Sequence, residues 1–287
     1  MNAHLHVRAL LPSDLPFADS LRALAGWNQT RADWRRFLTL QPQGCFLAEW
    51  DGARAGTATT MVYGSDLAWI GMVLVHPEYR RRGIGRGLLL KCIEHLQTRR
   101  VRCIKLDATP QGRPVYENLG FKDEWTSRRW EAELSALAPA AADSHLRAWQ
   151  KADALRFDPH DARAFGASRR ELILALARPS RCALTYESQP DVPTGCGLLR
   201  RGAQASYLGP VSATSTRGGI ALIQALLAQG GAGRVFWDIP DLNTAAVDWA
   251  ERHGFKVQRS LTRMWLGDNG RAGNPLQQFA LAGPELG

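Results

Sequence analysis

The pattern of hydrophobic and polar positions predicts a chain in which strands and helices alternate. Its clearest segment opens with an apolar, β-branched run at Ala68–Val75, which is typical of a buried strand. Pro77 follows and ends this strand, because proline has no amide hydrogen for a sheet ladder. After a basic, glycine-rich loop, apolar residues recur every three or four positions, which predicts an amphipathic helix. These residues are Ile84, Leu88, Leu89, Cys92, Ile93 and Leu96.

The rest of the first half extends this alternation. Cys45–Trp50 and Ala55–Tyr63 are predicted to form a hairpin, because Asp51-Gly52 between them is a strong turn signal. Cys103–Ala108 reads as another buried strand, and Gly120 ends a short helix as a left-handed cap. The predicted order is β-α-α-β-β-β-α-β-α-β. The fold class that we expect is therefore α/β, with a mixed α+β sheet.

The second half repeats parts of the first. Ser206–Val211 has the pattern of Ala68–Val73, and Arg252–Lys256 that of Asn118–Lys122. The two offsets are nearly equal and occur in the same order, which is hard to obtain by chance. Between the copies lies an Ala/Pro-rich stretch that is typical of a linker. The sequence therefore predicts one domain over residues 1–134, a linker over 135–145 and a second domain over 146–287.

Composition narrows the functions to consider. The chain has 287 residues, of which 45% are hydrophobic and 22% charged, with a net charge of +9. Its basic residues are dispersed apart from Arg80–Arg82, so we expect a small polyanionic ligand rather than nucleic acid. The five cysteines form no C-x-x-C pair, so we expect reduced thiols and no metal site. The N-terminus lacks the apolar core of a signal peptide, and the sequence has no apolar run long enough to span a membrane. We therefore expect a cytoplasmic protein with no membrane segment.

The loop Arg80–Gly87 has the features of an anion-binding site. The first amides of a helix lack internal partners, and glycines let a phosphate approach the backbone. The loop does not end in Gly-Lys-Ser/Thr, which excludes a nucleotide-hydrolase P-loop. Its glycines follow Gly83-x-Gly85-x-Gly87, which excludes the dinucleotide fingerprint G-x-G-x-x-G. The structural alternative is a surface loop with solvated arginines.

Four motifs resemble one family. Arg80-x-x-Gly83-x-Gly85 after a hydrophobic strand resembles the coenzyme A pyrophosphate loop of the GNAT superfamily of acyl-CoA-dependent N-acyltransferases. Tyr116–Phe121 is similar to the closing Y-E-x-L-G-F of that family. Leu106–Pro110 and Asp161–Arg169 resemble a bacterial subgroup with two GNAT-like domains in one chain. The resemblance implies two tandem GNAT domains, of which the second is degenerate, because it lacks the glycine-arginine loop and has Ala250 at the position equivalent to Tyr116.

The resemblance also implies where acetyl-CoA binds and which residue is the general acid. The two central strands would splay apart, and the cofactor would enter between them. Tyr116 would protonate the leaving thiolate, or else pack between helix and sheet. The pantetheine arm would pair with the backbone of Met72, Val73, Leu74 and Val75, and the pyrophosphate would bind Arg80, Arg81, Arg82, Gly83, Ile84, Gly85, Arg86 and Gly87.

The general base is harder to assign from sequence. Some family members carry a glutamate on the cofactor strand, where this chain has Trp69. Asp107 at the end of the neighbouring strand is the preferred candidate, with capping of the following turn as its structural alternative. Glu49, His76 or a chain of waters are the other candidates.

The acceptor site is expected near the break between the first two helices. Trp27 and Asn28 occupy that break, and Trp69 lies on the cofactor strand, so these three residues are the predicted substrate contacts. Their structural alternatives are core packing and helix capping. In the second half, Ser215, Thr216 and the helix start at Gly218-Gly219 would offer at most a weaker anion site.

The resulting hypothesis is an acetyl-CoA-dependent N-acetyltransferase that transfers the acetyl group directly to an amine. The acceptor is expected to be a small molecule, with a protein amine as the alternative. A non-catalytic acyl-CoA sensor or scaffold is the competing function. We expect a monomer or a homodimer.

Overall fold

The computed structural model describes residues 4–135, 143–270 and 272–287. The predicted linker, 135–145, lies largely outside the described residues. The strands are β1 (Leu5–Ala9), β2 (Cys45–Trp50), β3 (Ala53–Tyr63), β4 (Leu67–Val75), β5 (Cys103–Ala108), β6 (Lys122–Leu134), β7 (Leu146–Ala148), β8 (Cys182–Gln189), β9 (Val192–Arg200), β10 (Ser206–Ala213), β11 (Gly233–Pro240), β12 (Lys256–Gly267) and β13 (Gln278–Ala280). The helices are α1 (Leu15–Leu24), α2 (Arg31–Leu40), α3 (Ile84–Thr98), α4 (Arg113–Glu117), α5 (Asp153–Arg156), α6 (Asp158–Phe165), α7 (Arg170–Ala177), α8 (Thr216–Gly230) and α9 (Thr244–Arg252).

The described strands form one continuous sheet. Their order is β1-β2-β3-β4-β5-β12-β6-β11-β10-β9-β8-β7, with β13 beside β10. β4 and β5 are parallel, as are β10 and β11, while the other pairs are antiparallel. The expectation of an α/β fold with a mixed sheet is confirmed, and the predicted element order of the first half is the observed one.

The two halves exchange their long closing strands at the centre of the sheet. β12 of the second half pairs with β5 of the first, and β6 of the first half pairs with β11 of the second. β6 and β12 also pair with each other. The domain bounds at residues 134 and 146 stay a prediction. Each half of the chain contributes a strand that completes the other half's side of the sheet.

Each exchanged strand carries a buried ion pair across the junction. Arg263 on β12 donates two hydrogen bonds to Asp107 on β5, of 2.9 and 3.0 Å. Arg129 on β6 donates two to Asp238 on β11, both of 2.7 Å. All four side chains are buried. The same pairing in both halves supports the internal repeat in three dimensions.

The hydrophobic core joins the halves as well. One cluster lies under α3 and another under α8 and α9. A third cluster contains Trp34 and Phe37 of α2, Phe165 of α6, Leu172 of α7 and Leu286 of the final segment, which comprises β13 and the residues after it, 278–287. Since burying such side chains contributes about 1.5–3 kcal/mol each, this shared cluster holds the helices of both halves together.

Candidate active site

The sheet opens between β4 and β5. The two strands pair where Leu67–Trp69 faces Cys103–Lys105, and β4 continues to Val75 beyond that ladder. Beyond Trp69, β4 is no longer hydrogen-bonded to β5. The backbone groups on that side of β4 therefore face a gap between the two strands. The splay that the sequence resemblance implied is therefore present.

A bulge lies in β4 at this gap. The register with β3 shifts between Gly71 and Leu74, and Met72 has a positive φ of 50°. The hydroxyl of Thr57 donates to the carbonyl oxygen of Met72 at 3.0 Å. A bulge releases backbone groups from the ladder and turns the strand, so Met72 and Val73 line a cavity of about 90 Å³.

The loop after β4 has the geometry of an anion-binding site. Gly83 is the N-cap of α3 with φ of 81°, and Arg81 also has a positive φ of 63°. A Cβ built on Gly83 would meet no atom within 4 Å, so the space beside this backbone is open. The amides of Ile84, Gly85 and Arg86 open the helix, and such amides have no intrahelical partner.

One glycine of this loop has a packing role. The Gly87 amide donates to the Gly83 carbonyl at 3.0 Å as the first helical hydrogen bond. A Cβ on Gly87 would lie 2.5 Å from the Leu5 side chain of β1. α3 therefore needs a glycine here to approach β1. The amide of Gly87 is already paired within the helix, and its role in phosphate binding stays a prediction.

The arginines of the loop are exposed and differ in their contacts. Arg82 lies 5.5 Å from the ring centroids of both Trp50 and Tyr79. The Nε of Arg80 donates to the carbonyl oxygen of Val75 at 3.3 Å. Both contacts keep positive charge beside the start of α3, where the helix dipole also favours an anion.

Tyr116 on α4 lines the same cavity as Met72 and Val73. Its ring contacts Phe121 edge-on, with centroids 6.1 Å apart. Burial raises the pKa of Tyr116 to about 12. The phenol therefore stays protonated at neutral pH and can donate a hydrogen bond or a proton.

Asp107 lines the cavity but is already engaged. Both of its oxygens accept hydrogen bonds from Arg263, whose guanidinium lies 4.3 Å from the Trp69 ring centroid and 4.0 Å from that of Trp125. A carboxylate held this way is a structural partner of the exchanged strand. The geometry argues against Asp107 as the general base.

Two of the three predicted acceptor contacts are structural. The Asn28 amide donates to the Ala205 carbonyl and accepts from the Gln204 and Ala205 amides, so it joins the two halves. Trp69 is 1% exposed, and its Nε1 donates to the carbonyl of Pro284 at 3.0 Å. Of the three, Trp27 lines the cavity.

The structure brings two residues to the cavity that the sequence reasoning missed. Glu285 of the final segment and Gln29 both line it, and Gln29 Nε2 donates to Glu285 Oε2 at 2.6 Å. The segment from Phe279 to Leu286 is apolar except for Glu285, and this isolated acid was the available signal. No periodicity could place it, because the segment after β13 has no regular structure.

Comparison with known proteins decides the family. Residues 14–121 match the acetyltransferase (GNAT) family, and residues 159–280 match an acetyltransferase (GNAT) domain. The uncharacterized N-acetyltransferase YitH of Bacillus subtilis (strain 168) is 30% identical over 189 residues, which is 66% of each chain. This chain belongs to the GNAT family. It carries two GNAT domains in tandem, and it is an acyltransferase.

Other GNAT proteins resemble it over different lengths. The mycothiol acetyltransferase of Thermomonospora curvata is 36% identical over 83 residues, which is 28% of each chain. A putative acetyltransferase from Pyrococcus horikoshii superposes with a TM-score of 0.86 at 25% identity, covering 100% of this chain and 97% of that one. A tandem GNAT protein from the clavulanic acid biosynthesis pathway superposes with a TM-score of 0.66 at 14% identity, covering 92% and 98%. This last likeness concerns the fold.

In the second GNAT domain the corresponding gap is filled. β10 pairs with β11 at Ser206–Leu208, and beyond that point β13 pairs with β10 at Val211 and Ser212. A Cβ on Gly219 of α8 would lie 2.5 Å from the Phe279 ring. β13 thus lies along the part of β10 that corresponds to the open part of β4.

The start of α8 differs from that of α3. Ser215 caps the helix by accepting a hydrogen bond from the Gly218 amide at 3.2 Å. A Cβ on Gly218 would lie 2.9 Å from the Tyr186 ring. This helix start is filled by the chain's own side chains, in keeping with the predicted degeneracy of the second domain.

Across the described parts of the chain, no helix has both the length and the apolar character needed to cross a membrane.

Proposed function

We propose that this GNAT protein transfers the acetyl group of acetyl-CoA directly to the primary amine of a small molecule. The observation that carries the proposal is the shared cavity, which is lined by the bulged, open part of β4 and by Tyr116. The Arg80–Gly87 loop follows at the end of the same strand. A thioester on an extended arm and a diphosphate on a helix start would match this arrangement.

The residues present fit acetyl-CoA. The backbone of Met72–Val75, beyond the ladder with β5, would pair with the pantetheine amides. The amides of Ile84, Gly85 and Arg86 would bind the pyrophosphate, with Arg80 to Arg82 adding positive charge. When bound, acetyl-CoA supplies an activated acetyl thioester.

Tyr116 would act as the general acid. Because burial raises its pKa to about 12, the phenol is protonated across the neutral range. A phenol beside the sulfur can donate its proton as the C–S bond breaks, which makes the thiol a better leaving group.

The polar lining of the cavity supports a small acceptor. Trp27, Gln29 and Glu285 are among the residues that line it. Arg259 also lines it, and among the described residues the Arg259 Nε is a buried atom without a hydrogen-bond partner. Amines that also carry a carboxylate therefore belong in any acceptor panel.

The test is free-thiol release from acetyl-CoA with a panel of small amines, including amino acids, amino sugars and polyamines, and with peptides that offer an N-terminus or a lysine. Tyr116→Phe is expected to lower kcat by about 10²-fold with the acetyl-CoA-induced thermal shift retained. Tyr186→Phe, on β8 of the second domain, is the matched control and should keep wild-type turnover.

A thermal shift with acetyl-CoA but no thiol release over the whole panel would refute the proposal in favour of an acyl-CoA sensor. Turnover with peptides and with none of the small amines would refute the acceptor class alone.

A further inference from the structure

The final segment passes through both gaps of the sheet. β13 fills the gap in the second domain, where a Cβ on Gly209 would collide with the backbone oxygen of Leu281. The chain then enters the first domain, where a Cβ on Gly71 would lie 2.7 Å from Cα and 2.8 Å from the backbone oxygen of Glu285. Gly209 and Gly71 are equivalent in the repeat. One segment therefore covers the same point of both domains, and in the first it places a carboxylate there.

Three side chains fix the backbone on either side of Glu285. Trp69 Nε1 donates to the Pro284 carbonyl at 3.0 Å, and the Tyr63 hydroxyl donates to the Leu286 carbonyl at 2.7 Å. Arg169 Nη1 donates to the Gly287 carbonyl at 3.2 Å. These hydrogen bonds fix the position of the backbone around Glu285.

The Glu285 carboxylate differs from the other candidate bases. It is 5% exposed, and Gln29 holds one of its oxygens. Within the described ranges no arginine or lysine forms an ion pair with it, whereas both oxygens of Asp107 are held by Arg263. Glu49 pairs with Arg8 and is not among the residues that line the cavity.

Charged groups from several elements face this carboxylate. Burial is the main effect, and it raises the Glu285 pKa from 4.5 to about 6. The charged and titratable groups that interact with it are Arg200, Asp33, Arg259, Arg129, Tyr207 and Tyr63. Asp107 lines the same cavity. A carboxylate with this pKa is ionised at pH 7 and more basic than an exposed one, as general bases need to be.

We propose that Glu285, supplied by the second half of the chain, is the general base of the first domain. This assignment rests on the proposed N-acetyl transfer. Glu285 would bind the acceptor ammonium and take one proton, so that the nitrogen lone pair attacks the acetyl carbon. The N–C bond forms and the C–S bond breaks. The sulfur takes the Tyr116 proton, the second ammonium proton returns to Tyr116, and Glu285 releases its proton to solvent.

The test compares Glu285→Gln with wild type and with Glu171→Gln, an exposed glutamate on α7, using the amine of highest turnover in the panel. Glutamine keeps the size of the side chain and its capacity to accept from Gln29. We expect kcat to fall by about 10²-fold, with the acetyl-CoA thermal shift unchanged. The acid limb of kcat/KM near pH 6 should disappear, so that the variant's rate rises with pH only as the free amine deprotonates.

Three results would refute this assignment or the proposed function on which it rests. Wild-type kcat with an intact acid limb in Glu285→Gln would refute the base alone. Equal losses of activity at all pH values, with a lowered melting temperature, would show a purely structural role and also refute it. Absence of turnover in the wild-type protein would refute the proposed function, and the base with it.

Discussion

Replacing Asp107 with asparagine is expected to lower the stability of the protein and to leave proton abstraction by the general base intact. The Asp107 side chain is 0% exposed and that of Arg263 is 3% exposed. Removing the carboxylate would leave a guanidinium buried between Trp69 and Trp125 without a counter-charge. Breaking a buried pair from one side costs about 3–5 kcal/mol, so we expect a loss of that size for Asp107→Asn.

The assay is urea unfolding followed by tryptophan fluorescence, combined with a double-mutant cycle. Asp107→Asn and Arg263→Met should each be strongly destabilising. The double variant should lose less than their sum, with a coupling of about 2–3 kcal/mol. Asp238→Asn is the matched comparison in the other half of the chain, because Asp238 makes the equivalent buried pair with Arg129.

The same Asp107→Asn protein, assayed below its unfolding transition, should keep an acid limb in its pH–rate profile. If it is as stable as wild type and the acid limb is gone, then Asp107 is the base, and both the structural role and the assignment of Glu285 are wrong.

Three further predictions concern the final segment and the loop. Since the Glu285 pKa is raised from 4.5 to about 6, folding disfavours its charged form, and wild type should lose about 2 kcal/mol as pH rises through that interval. Urea unfolding from pH 4 to 8 should show a flatter dependence for Glu285→Gln, and equal slopes would contradict the raised pKa. Gly71→Ala should push the Glu285 backbone out of place, lowering both kcat and the melting temperature; wild-type kcat would show that this contact is irrelevant. Gly83→Asp should weaken acetyl-CoA binding by at least about tenfold in calorimetry, because it adds negative charge at the helix start. Gly83→Asn, which tolerates the same left-handed backbone, is its uncharged control, and equal affinities would argue against a phosphate at this site.

Features set by neighbouring residues could be predicted from the sequence. The β4–loop–α3 unit follows from an apolar run, a proline, glycines and a three- to four-residue apolar period, which all act locally. The short helix that carries Tyr116 likewise follows from Pro114 at its start and Gly120 at its end. These elements are the ones that position the proposed cofactor loop and general acid.

Features set by distant pairing could not be predicted. β6 and β12 have such similar patterns that either could close either side of the sheet, so sequence alone does not reveal the exchange. The sequence predicts Trp69 as an acceptor contact, although its hydrogen-bond partner is the Pro284 carbonyl, 215 positions away in sequence. Glu285 was missed for the same reason, because a segment without periodicity gives no clue to where it packs.

Because β6 and β12 are exchanged, each domain depends on a strand of the other to complete its side of the sheet. Neither polypeptide half carries every strand of its own side of the sheet, so we expect the whole molecule to unfold in one cooperative transition. A nick in the connection between the halves would leave two fragments that still hold each other by strand complementation. Removal of the second domain would therefore also remove β12 from the first domain's side of the sheet.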